Sequence, residues 1–163
     1  MAEALTIQVG IGELRAGKGS DTSLVAYGLG SCVGVCLYDA NSRIGGLAHV
    51  MLPNSLEGGS RIDGRYADKA VPMLLEEVLK LGADRRRLVG KIAGGARMLS
   101  APGFSDTFNI GARNVDAVQA LMGQLGVPIL GKEIGGSRGR TLLLHLASGR
   151  VVVRTVGEKE VDL

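Results

Sequence analysis

The sequence predicts an α+β fold: a layered α/β sandwich in which mostly antiparallel or mixed strands pack against two main helices. Short segments of alternating apolar and polar residues, two longer segments with helical apolar spacing, and clusters of turn residues between them support this prediction. Because the alternating segments follow one another as hairpins, a doubly wound parallel sheet is disfavoured. The 163 residues, of which 45% are apolar and 21% charged, suit a single domain spanning residues 1–163.

Eight segments are predicted to be strands: residues 6–9, 23–27, 32–38, 43–51, 88–93, 128–134, 141–146 and 151–156. The clearest pair joins the third and fourth segments, which alternate cleanly and are connected by the turn-forming residues 39–42. Pro53 ends the fourth segment, since proline cannot donate a hydrogen bond to a sheet. Four glycines between residues 10 and 19 interrupt the alternation, so we expect a loop there.

Two segments have the apolar spacing of amphipathic helices. The first covers residues 66–81, with Gly82 as its C-terminal cap. Pro72 removes a backbone hydrogen bond within it, so either the helix bends there or its regular part begins near that residue. The second helix should start at residue 112 or 114 and end at Leu125. The predicted loops include residues 54–64 and 99–108.

The central hairpin brings two reactive side chains together. If Tyr38 pairs with Arg43 across a four-residue loop, Cys32 lies directly opposite His49. Such pairs project from one face with Cβ atoms about 4.5–5.5 Å apart. A shift of one residue would put the two side chains on opposite faces, so the prediction depends on the parity of the register.

A neighbouring cysteine and histidine are suited to amide hydrolysis. The thiolate is the nucleophile, and an imidazole can accept the thiol proton and return it to a leaving amine. Gly30 and Ser31 belong to a glycine-rich turn whose N–H groups could stabilise an oxyanion. The residues alone leave open the alternative that Cys32 is a small buried apolar residue and that His49 is structural.

Other kinds of site have less support in the sequence. Cys32, Cys36 and His49 offer three zinc ligands without a fourth, so neither a metal site nor a cofactor is expected. The glycines from Gly28 onward are not followed by the helix that a dinucleotide site requires. Cys36 is predicted to pack in the interior, and His145 to occupy a sheet position without a chemical role.

Charge and composition limit the classes of partner. The net charge is +3, and the clearest basic run is Arg85–Arg87, interpreted as a solvated helix end, with an acidic partner as the alternative. Aromatic residues make up only 3%, which disfavours a base-stacking surface, so nucleic acid is not expected as a partner. Two cysteines, no basic and apolar leader, and no apolar run of about 18 residues predict a cytoplasmic protein without membrane insertion.

Several short motifs together resemble the chemotaxis deamidase family CheD. The motifs are GLGSCV at residues 28–33, AHVMLP at 48–53, YAD at 66–68, KIAGGA at 91–96, NIGARN at 109–114 and the glycine pair at 135–136. They occur in the family's order and span roughly residues 6–156. Each motif is weak alone, whereas their combination is highly specific.

The resemblance implies an activity, a fold and partners. Members of that family convert glutamines on the cytoplasmic helices of chemoreceptors to glutamates and release ammonia, and some also hydrolyse receptor methyl esters. Their fold is similar to that of toxin-type cysteine deamidases. The resemblance places the nucleophile, which forms a thioester, at Cys32 and the general base at His49. It also implies a CheC-like phosphatase as a partner of some members.

One position departs from the family pattern. The resemblance implies a threonine as third catalytic residue at position 26, where this chain has Ala26. A methyl group cannot orient an imidazole by hydrogen bonding, so a backbone carbonyl, Thr22 or another polar group would take that role, or activity would be reduced. This departure keeps open a non-catalytic alternative, in which the protein regulates chemotaxis by binding a receptor or a CheC-like phosphatase.

The border of the substrate cleft is predicted from glycine-rich and polar loops. Gly94, Gly95 and Asn109 are predicted to contact substrate, alongside the turn at Gly30 and Ser31; simple turns and helix caps are the alternative for the first three. The stretch 98–108 is longer than the family pattern. If it flanks the cleft, it would alter the choice of substrate.

Overall fold

The alternating segments of the sequence pair into two five-stranded sheets, and the two amphipathic segments form helices on one of them. The computed structural model describes residues 4–55, 63–98 and 109–163. The inner sheet has the order β2 (Leu14–Lys18), β5 (Ile44–Val50), β4 (Val33–Asp39), β6 (Val89–Gly94) and β7 (Ile129–Ile134). The outer sheet has the order β1 (Leu5–Gln8), β3 (Thr22–Leu29), β8 (Arg140–His145), β9 (Val151–Thr155) and β10 (Val161–Asp162).

The strands pair mostly antiparallel, as the hairpin pattern predicts. Within the described residues, β1 with β3 and β6 with β7 are the parallel pairs. Helices α1 (Ala67–Lys80) and α2 (Ile110–Leu125) pack on the inner sheet and on each other. The layered α+β prediction is therefore confirmed, while the similarity to toxin-type deamidases stays a prediction.

Strand β4 shows how alternation builds the layers. Val33, Val35 and Leu37 belong to the apolar cluster that contains the helices, whereas Cys36 and Tyr38 belong to the cluster that contains the outer sheet. Every residue of β4 and of its partner β5 is buried. This hairpin is thus the centre of the molecule, covered on both faces.

The predicted helices are present, with two adjustments. Helix α1 runs without interruption through Pro72, so its regular part begins well before that residue. Gly82 follows the cap with a φ of 114°, a conformation that glycine tolerates. Helix α2 begins earlier than predicted, at Ile110, because Asn109 accepts a hydrogen bond from the Ala112 N–H and caps the helix there.

Two strands were not predicted. Strand β2 lies in the glycine-containing segment expected to be a loop, and the short β10 follows the last predicted hairpin. In β2, the partly buried Leu14 and Ala16 pack against the helix-facing core, and Gly17 pairs with Gly45 of β5. Glycine is tolerated in this edge strand because pairing with β5 supplies the hydrogen bonds. Parts of the predicted loops 54–64 and 99–108 lie outside the described residues.

One arginine of the basic run after α1 pairs with a buried carboxylate. Arg85–Arg87 form one turn of 3-10 helix, and the Arg87 guanidinium donates to both oxygens of the fully buried Asp39 carboxylate at 3.0 and 3.1 Å. The Asp84 N–H donates to the same carboxylate at 2.9 Å. Arg87 is the main cause that holds the pKa of Asp39 far below its usual range. All three arginines are exposed, as the solvated interpretation of this run predicts, and Arg87 in addition pairs with the buried carboxylate.

We expect Arg87→Leu to lower the free energy of unfolding by about 3 kcal/mol, because it leaves the buried Asp39 carboxylate without its counter-charge. The depressed pKa of Asp39 stabilises the fold above its unfolded value of about 3.9, and this contribution is lost as the pH falls further. In urea unfolding at pH 7 and pH 3, the free energy of unfolding of Arg87→Leu should therefore differ more from that of the original protein at pH 7. The matched control is Arg86→Leu, since Arg86 is 90% exposed and its surface ion pair is worth about 0–1 kcal/mol. Equal losses in the two variants would contradict this role.

Candidate active site

The register of the β4–β5 hairpin differs by two residues from the predicted one. Asp39 pairs with Ile44, so His49 lies opposite Gly34 and not opposite Cys32. The predicted direct pairing of Cys32 with His49 is therefore wrong. Asp39 stays in the strand because its carboxylate is held by Arg87 and Asp84, which lie far away in sequence.

The two-residue shift preserves parity, so both side chains still face the outer sheet. A Cβ at Gly34, opposite His49, would meet Leu142 of the outer sheet at 2.5 Å. Cys32, which immediately precedes β4, belongs to the same apolar cluster as Leu142. The structure thus places Cys32 and His49 on the same side of the inner sheet, on neighbouring chain segments.

The turn that carries Cys32 is held through its carbonyl oxygens. Three consecutive carbonyl groups, from residue 30 to residue 32, each accept a hydrogen bond from outside the turn. The bonds are Ala96 N–H to Gly30 O at 2.8 Å, Asn114 Nδ2 to Ser31 O at 2.9 Å and Gly95 N–H to Cys32 O at 2.8 Å. The backbone around Cys32 is therefore fixed by β6, by the turn after it and by α2.

Both thiols are reduced and buried. Cys32 is 7% exposed, and burial raises its pKa above the ordinary value. Cys36 packs within β4, and burial raises its pKa to about 12, with a smaller opposing effect from Lys91. Cys36 is thus the packed residue that the sequence predicts, and Cys32 is the more accessible thiol.

The His49 ring is oriented by a backbone carbonyl. Its Nδ1 lies 3.0 Å from Val9 O, and because a carbonyl only accepts, Nδ1 carries the proton and donates. The lone pair is then on Nε2, which is buried and has no hydrogen-bond partner among the described residues. Burial lowers the pKa of His49, opposed by the bond to Val9 and by the charge of Glu13. The ring is therefore a neutral base with its acceptor nitrogen unoccupied.

A backbone carbonyl is one of the groups that the departure at Ala26 leaves as a partner for the imidazole, and Val9 O is in hydrogen-bond contact with it. Ala26 is fully buried in the apolar cluster of the outer sheet and pairs with Leu142. Thr22 accepts a hydrogen bond from Ser20 at 2.8 Å. Of the groups that could replace the family's threonine, the backbone carbonyl is the one that contacts the imidazole.

The loop between β1 and β2 holds that carbonyl in place. The Val9 N–H donates to Val25 O at 2.8 Å, which continues the pairing of β1 with β3. The His49 N–H donates to Glu13 O at 3.1 Å, and the Gly12 N–H donates to His49 O at 3.0 Å. The backbone of His49 and its ring are thus both bound to the same short loop.

Gly94 and Gly95 lie directly beside Cys32. Both have positive φ, at 113° and 68°, and a side chain at either position would clash, with Cys32 O at Gly94 and with Val115 at Gly95. Arg140, only 6% exposed, donates from Nη1 to Gly94 O at 3.1 Å. These glycines allow the backbone to approach closely; their contact with substrate stays a prediction.

Asn109 has no described hydrogen bond to the cysteine or the histidine. It caps α2 and lines a hollow of about 380 Å³ together with Gly95, Gly136 and Gln119. Among the described residues that line this hollow, neither Cys32 nor His49 occurs. The helix-cap interpretation of Asn109 is confirmed. Within the stretch 98–108, every residue after Met98 lies outside the described residues.

The remaining residues singled out by sequence take structural positions. His145 lies in β8 opposite Ser23, with its Nδ1 2.9 Å from Ser23 Oγ.

The described parts of the chain contain no group of three or more histidine, cysteine, aspartate or glutamate side chains arranged to hold a metal ion. In those same ranges, no helix is long and apolar enough to cross a membrane.

Two buried polar residues near Cys32 were not predicted as part of its surroundings. Asn114 falls on the buried face of α2 beside Val115 and Val118, and Arg140 occupies an inward position of β8 in alternation with Leu142. A polar residue at an apolar position of an otherwise regular pattern is the signal that could have identified both. The Val9 carbonyl has no such signal, because every residue carries one.

Two comparisons relate the chain to known proteins. The sequence model of the family described as "CheD chemotactic sensory transduction" matches residues 51–155. A probable chemoreceptor glutamine deamidase CheD of Symbiobacterium thermophilum is 46% identical over 157 residues, which is 95% of each chain. The chain belongs to the CheD family. Proteins with the same name from Desulforamulus reducens and Methanococcus vannielii are 42% and 43% identical and cover 93% and 94% of this chain, or 91% and 97% of their own lengths.

The two kinds of match cover the site differently. The CheD family match begins at Met51, two residues after His49, and so includes α1, β6, α2 and the strands up to β9. The CheD relatives match almost the whole chain, including the segment that carries Cys32 and His49. The family resemblance drawn from the motifs is therefore confirmed, while the roles of individual site residues stay predictions.

We expect His49 to be neutral at pH 7, with its proton on Nδ1 and a pKa below the ordinary value of about 6.5, because the ring is buried and bonded to Val9 O. Nitrogen-15 chemical shifts recorded over a pH titration report both the tautomer and the pKa. His145→Gln removes the only other imidazole and so assigns the signals. Since the unfolded ring binds a proton more readily, the contribution of His49 to stability is present above about pH 6.5 and is lost as the pH falls. A proton found on Nε2 at neutral pH would refute the assigned orientation.

Proposed function

We propose that the protein is a chemoreceptor glutamine deamidase that hydrolyses glutamine side chains to glutamate, with Cys32 as nucleophile and His49 as general base. The observation that carries this proposal is the orientation of His49, whose Nδ1 is occupied by Val9 O while Nε2 keeps a lone pair on the face shared with Cys32. Membership of the CheD family supports the choice of substrate, because its curated relatives are named chemoreceptor glutamine deamidases. No cofactor is needed for this chemistry.

Burial favours the uncharged form of both partners. It raises the pKa of the Cys32 thiol and lowers that of the His49 imidazole, so the resting pair is thiol and neutral imidazole, not thiolate and imidazolium. A thiol is a weak nucleophile, so the proton must leave as the sulfur attacks. His49 therefore acts as a general base during the attack.

The first half of the reaction forms a thioester. The Cys32 proton moves to His49 Nε2 while the sulfur forms a bond to the carboxamide carbon of the substrate, and the carbonyl oxygen becomes an oxyanion. The oxyanion collapses, the carbon–nitrogen bond breaks, and His49 returns the proton to the leaving nitrogen, which departs as ammonia. His49 is then again neutral and ready for the second half.

The second half releases glutamate. His49 Nε2 takes a proton from water, whose oxygen attacks the thioester carbon. The carbon–sulfur bond breaks and the proton returns to the sulfur of Cys32. One water is consumed and one ammonia released in each cycle. The same steps acting on a receptor methyl ester would release methanol, so methylesterase activity is part of the proposal as a secondary reaction.

The turn at Gly30 and Ser31 is proposed to supply the oxyanion site. Among the described residues, the N–H groups of Gly30, Ser31 and Cys32 donate to no backbone carbonyl, so we propose them as donors for a substrate oxygen. Gly94, Gly95 and Asn109 would border the path of the substrate. Because Cys32 is only 7% exposed, the glutamine side chain of the receptor must extend below the protein surface to reach the thiol.

The proposed setting is the cytoplasm, where receptor helices are accessible and thiols stay reduced. A CheC-like phosphatase remains a proposed second partner. The alternative function is a regulatory module that binds a receptor or this phosphatase without catalysis. The departure at Ala26 motivates that alternative, and the bond from His49 to Val9 O weakens it, because the imidazole has an orienting partner.

We expect Cys32→Ala to abolish ammonia release from purified receptor cytoplasmic fragments, a loss of at least about 1,000-fold, because it removes the nucleophile. Mass spectrometry should show conversion of glutamine to glutamate with the original protein and none with the variant. Cys36→Ala is the matched control: it removes the other buried thiol, which lies within the same strand face, and should retain most of the activity.

The outcomes separate the two functions. Full activity in Cys32→Ala would eliminate Cys32 as nucleophile. Tight binding of the receptor fragment by the original protein, with neither ammonia nor glutamate formed, would favour the non-catalytic alternative.

A further inference from the structure

Asn114 joins the two chain segments that carry the proposed catalytic pair. Its side chain is fully buried, and its Nδ2 donates to Ser31 O and to Met51 O, each at 2.9 Å. Ser31 immediately precedes Cys32, and Met51 follows His49 by two residues. One side-chain amide on α2 therefore bridges the nucleophile turn and the end of β5.

The chemistry of the two partners fixes the orientation of this amide. Both are backbone carbonyl oxygens, which only accept, so the NH2 group must face them and the oxygen must point away. Asn114 Oδ1 is buried and has no hydrogen-bond partner among the described residues. A buried acceptor without a partner costs free energy, which offsets part of what the two donated bonds contribute to stability.

We infer that Asn114 is a positioning residue, whose amide sets the relative placement of Cys32 and His49 and holds the peptide that presents the Cys32 N–H. This inference rests on the proposed function and assigns a role to a residue outside the cysteine–histidine pair. The Ser31 carbonyl and the Cys32 N–H belong to one planar peptide group, so a bond to the oxygen fixes the direction of the N–H. The second bond, to Met51, ties this peptide to the strand that carries the base.

The position of Asn114 in α2 makes the link rigid. Asn114 lies in the second turn of the 16-residue helix, and the next buried residues along the same face, Val115 and Val118, pack in the helix-facing core. Gly111, one turn earlier, has no room for a side chain, because one would clash with Ala96 O. The helix therefore packs closely against the segment that also binds Gly30 and Cys32. This packing fixes the position of the Asn114 amide relative to that turn.

The test compares three variants. Asn114→Ala removes both bonds. Asn114→Asp keeps the shape of the side chain but replaces the donor with an oxygen that faces two carbonyl oxygens. Val118→Ala is the matched control, since it removes buried volume from the same helix without contact to Ser31 or Met51. Urea unfolding of all three supplies the stability against which the other effects are judged.

The kinetic expectation is a loss in the catalytic step. For glutamine hydrolysis, kcat should fall by about 10- to 100-fold in Asn114→Ala and at least as far in Asn114→Asp, with KM changing less than about threefold, because misplacement of the reacting groups acts on the transition state. Val118→Ala should keep kcat within about threefold at a temperature where it is folded. Similar kcat values in Asn114→Ala and Val118→Ala would overturn the inference.

A second readout does not depend on deamidation. Hydrogen exchange of the amides in residues 30–34 and 49–52 should become faster in Asn114→Ala and Asn114→Asp and stay unchanged in Val118→Ala. If the original protein releases no ammonia but exchange rises in both segments, the proposed function fails while the tie made by Asn114 stands. If exchange in both segments is unchanged, the inference is overturned whatever the activity.

Discussion

Because the β4–β5 hairpin is covered by helices on one face and by the outer sheet on the other, the polar side-chain groups of its two strands depend on partners inside the protein, and among the described residues His49 Nε2 is the exception. This constraint selects small or apolar residues along most of both strands. Where a polar residue does occur, the surrounding elements are arranged around it: Arg87 and Asp84 meet Asp39 at one end of the hairpin, and Val9 meets His49 near the other. The partners of these two polar residues therefore come from segments distant in sequence.

The same burial determines what kind of chemistry the site favours. A dry environment shifts the equilibrium between thiol–imidazole and thiolate–imidazolium toward the uncharged pair. In the proposed reaction, Cys32 therefore loses its proton only as the sulfur attacks a bound substrate. For a protein whose substrate is another protein, this limits unwanted reactions of an otherwise nucleophilic sulfur.

Sequence patterns predicted the layered fold and the shared face of Cys32 and His49. They failed where contacts with residues distant in sequence determine strand register or strand formation. Alternation was sufficient to place Cys32 and His49 on one face, because parity survives a shift of two residues. It could not determine the register, because Asp39 is kept in the strand by contacts from beyond α1. The edge strand β2 was missed for a related reason: its glycines are tolerated only because β5 lies beside it.

The site itself was predictable to the extent that it is made of unusual side chains. Two early thiols and two imidazoles are conspicuous in the sequence, and the motif order led to the CheD family. The contacts that orient these groups come from a backbone carbonyl, from an asparagine within an apolar stripe and from paired glycines. The role of such groups depends on which residues lie near them in the folded protein. Composition and spacing therefore did not identify them.

The use of the Val9 carbonyl has a consequence for how the site tolerates sequence change. A main-chain acceptor cannot be removed by exchanging a side chain, so any residue at position 9 that preserves the backbone path also preserves the orientation of the imidazole. Position 26 then needs no polar side chain to bind the imidazole, and Ala26 contributes a methyl group to the apolar interior between the sheets. An alanine at that position therefore leaves the hydrogen bond between the imidazole and Val9 O in place.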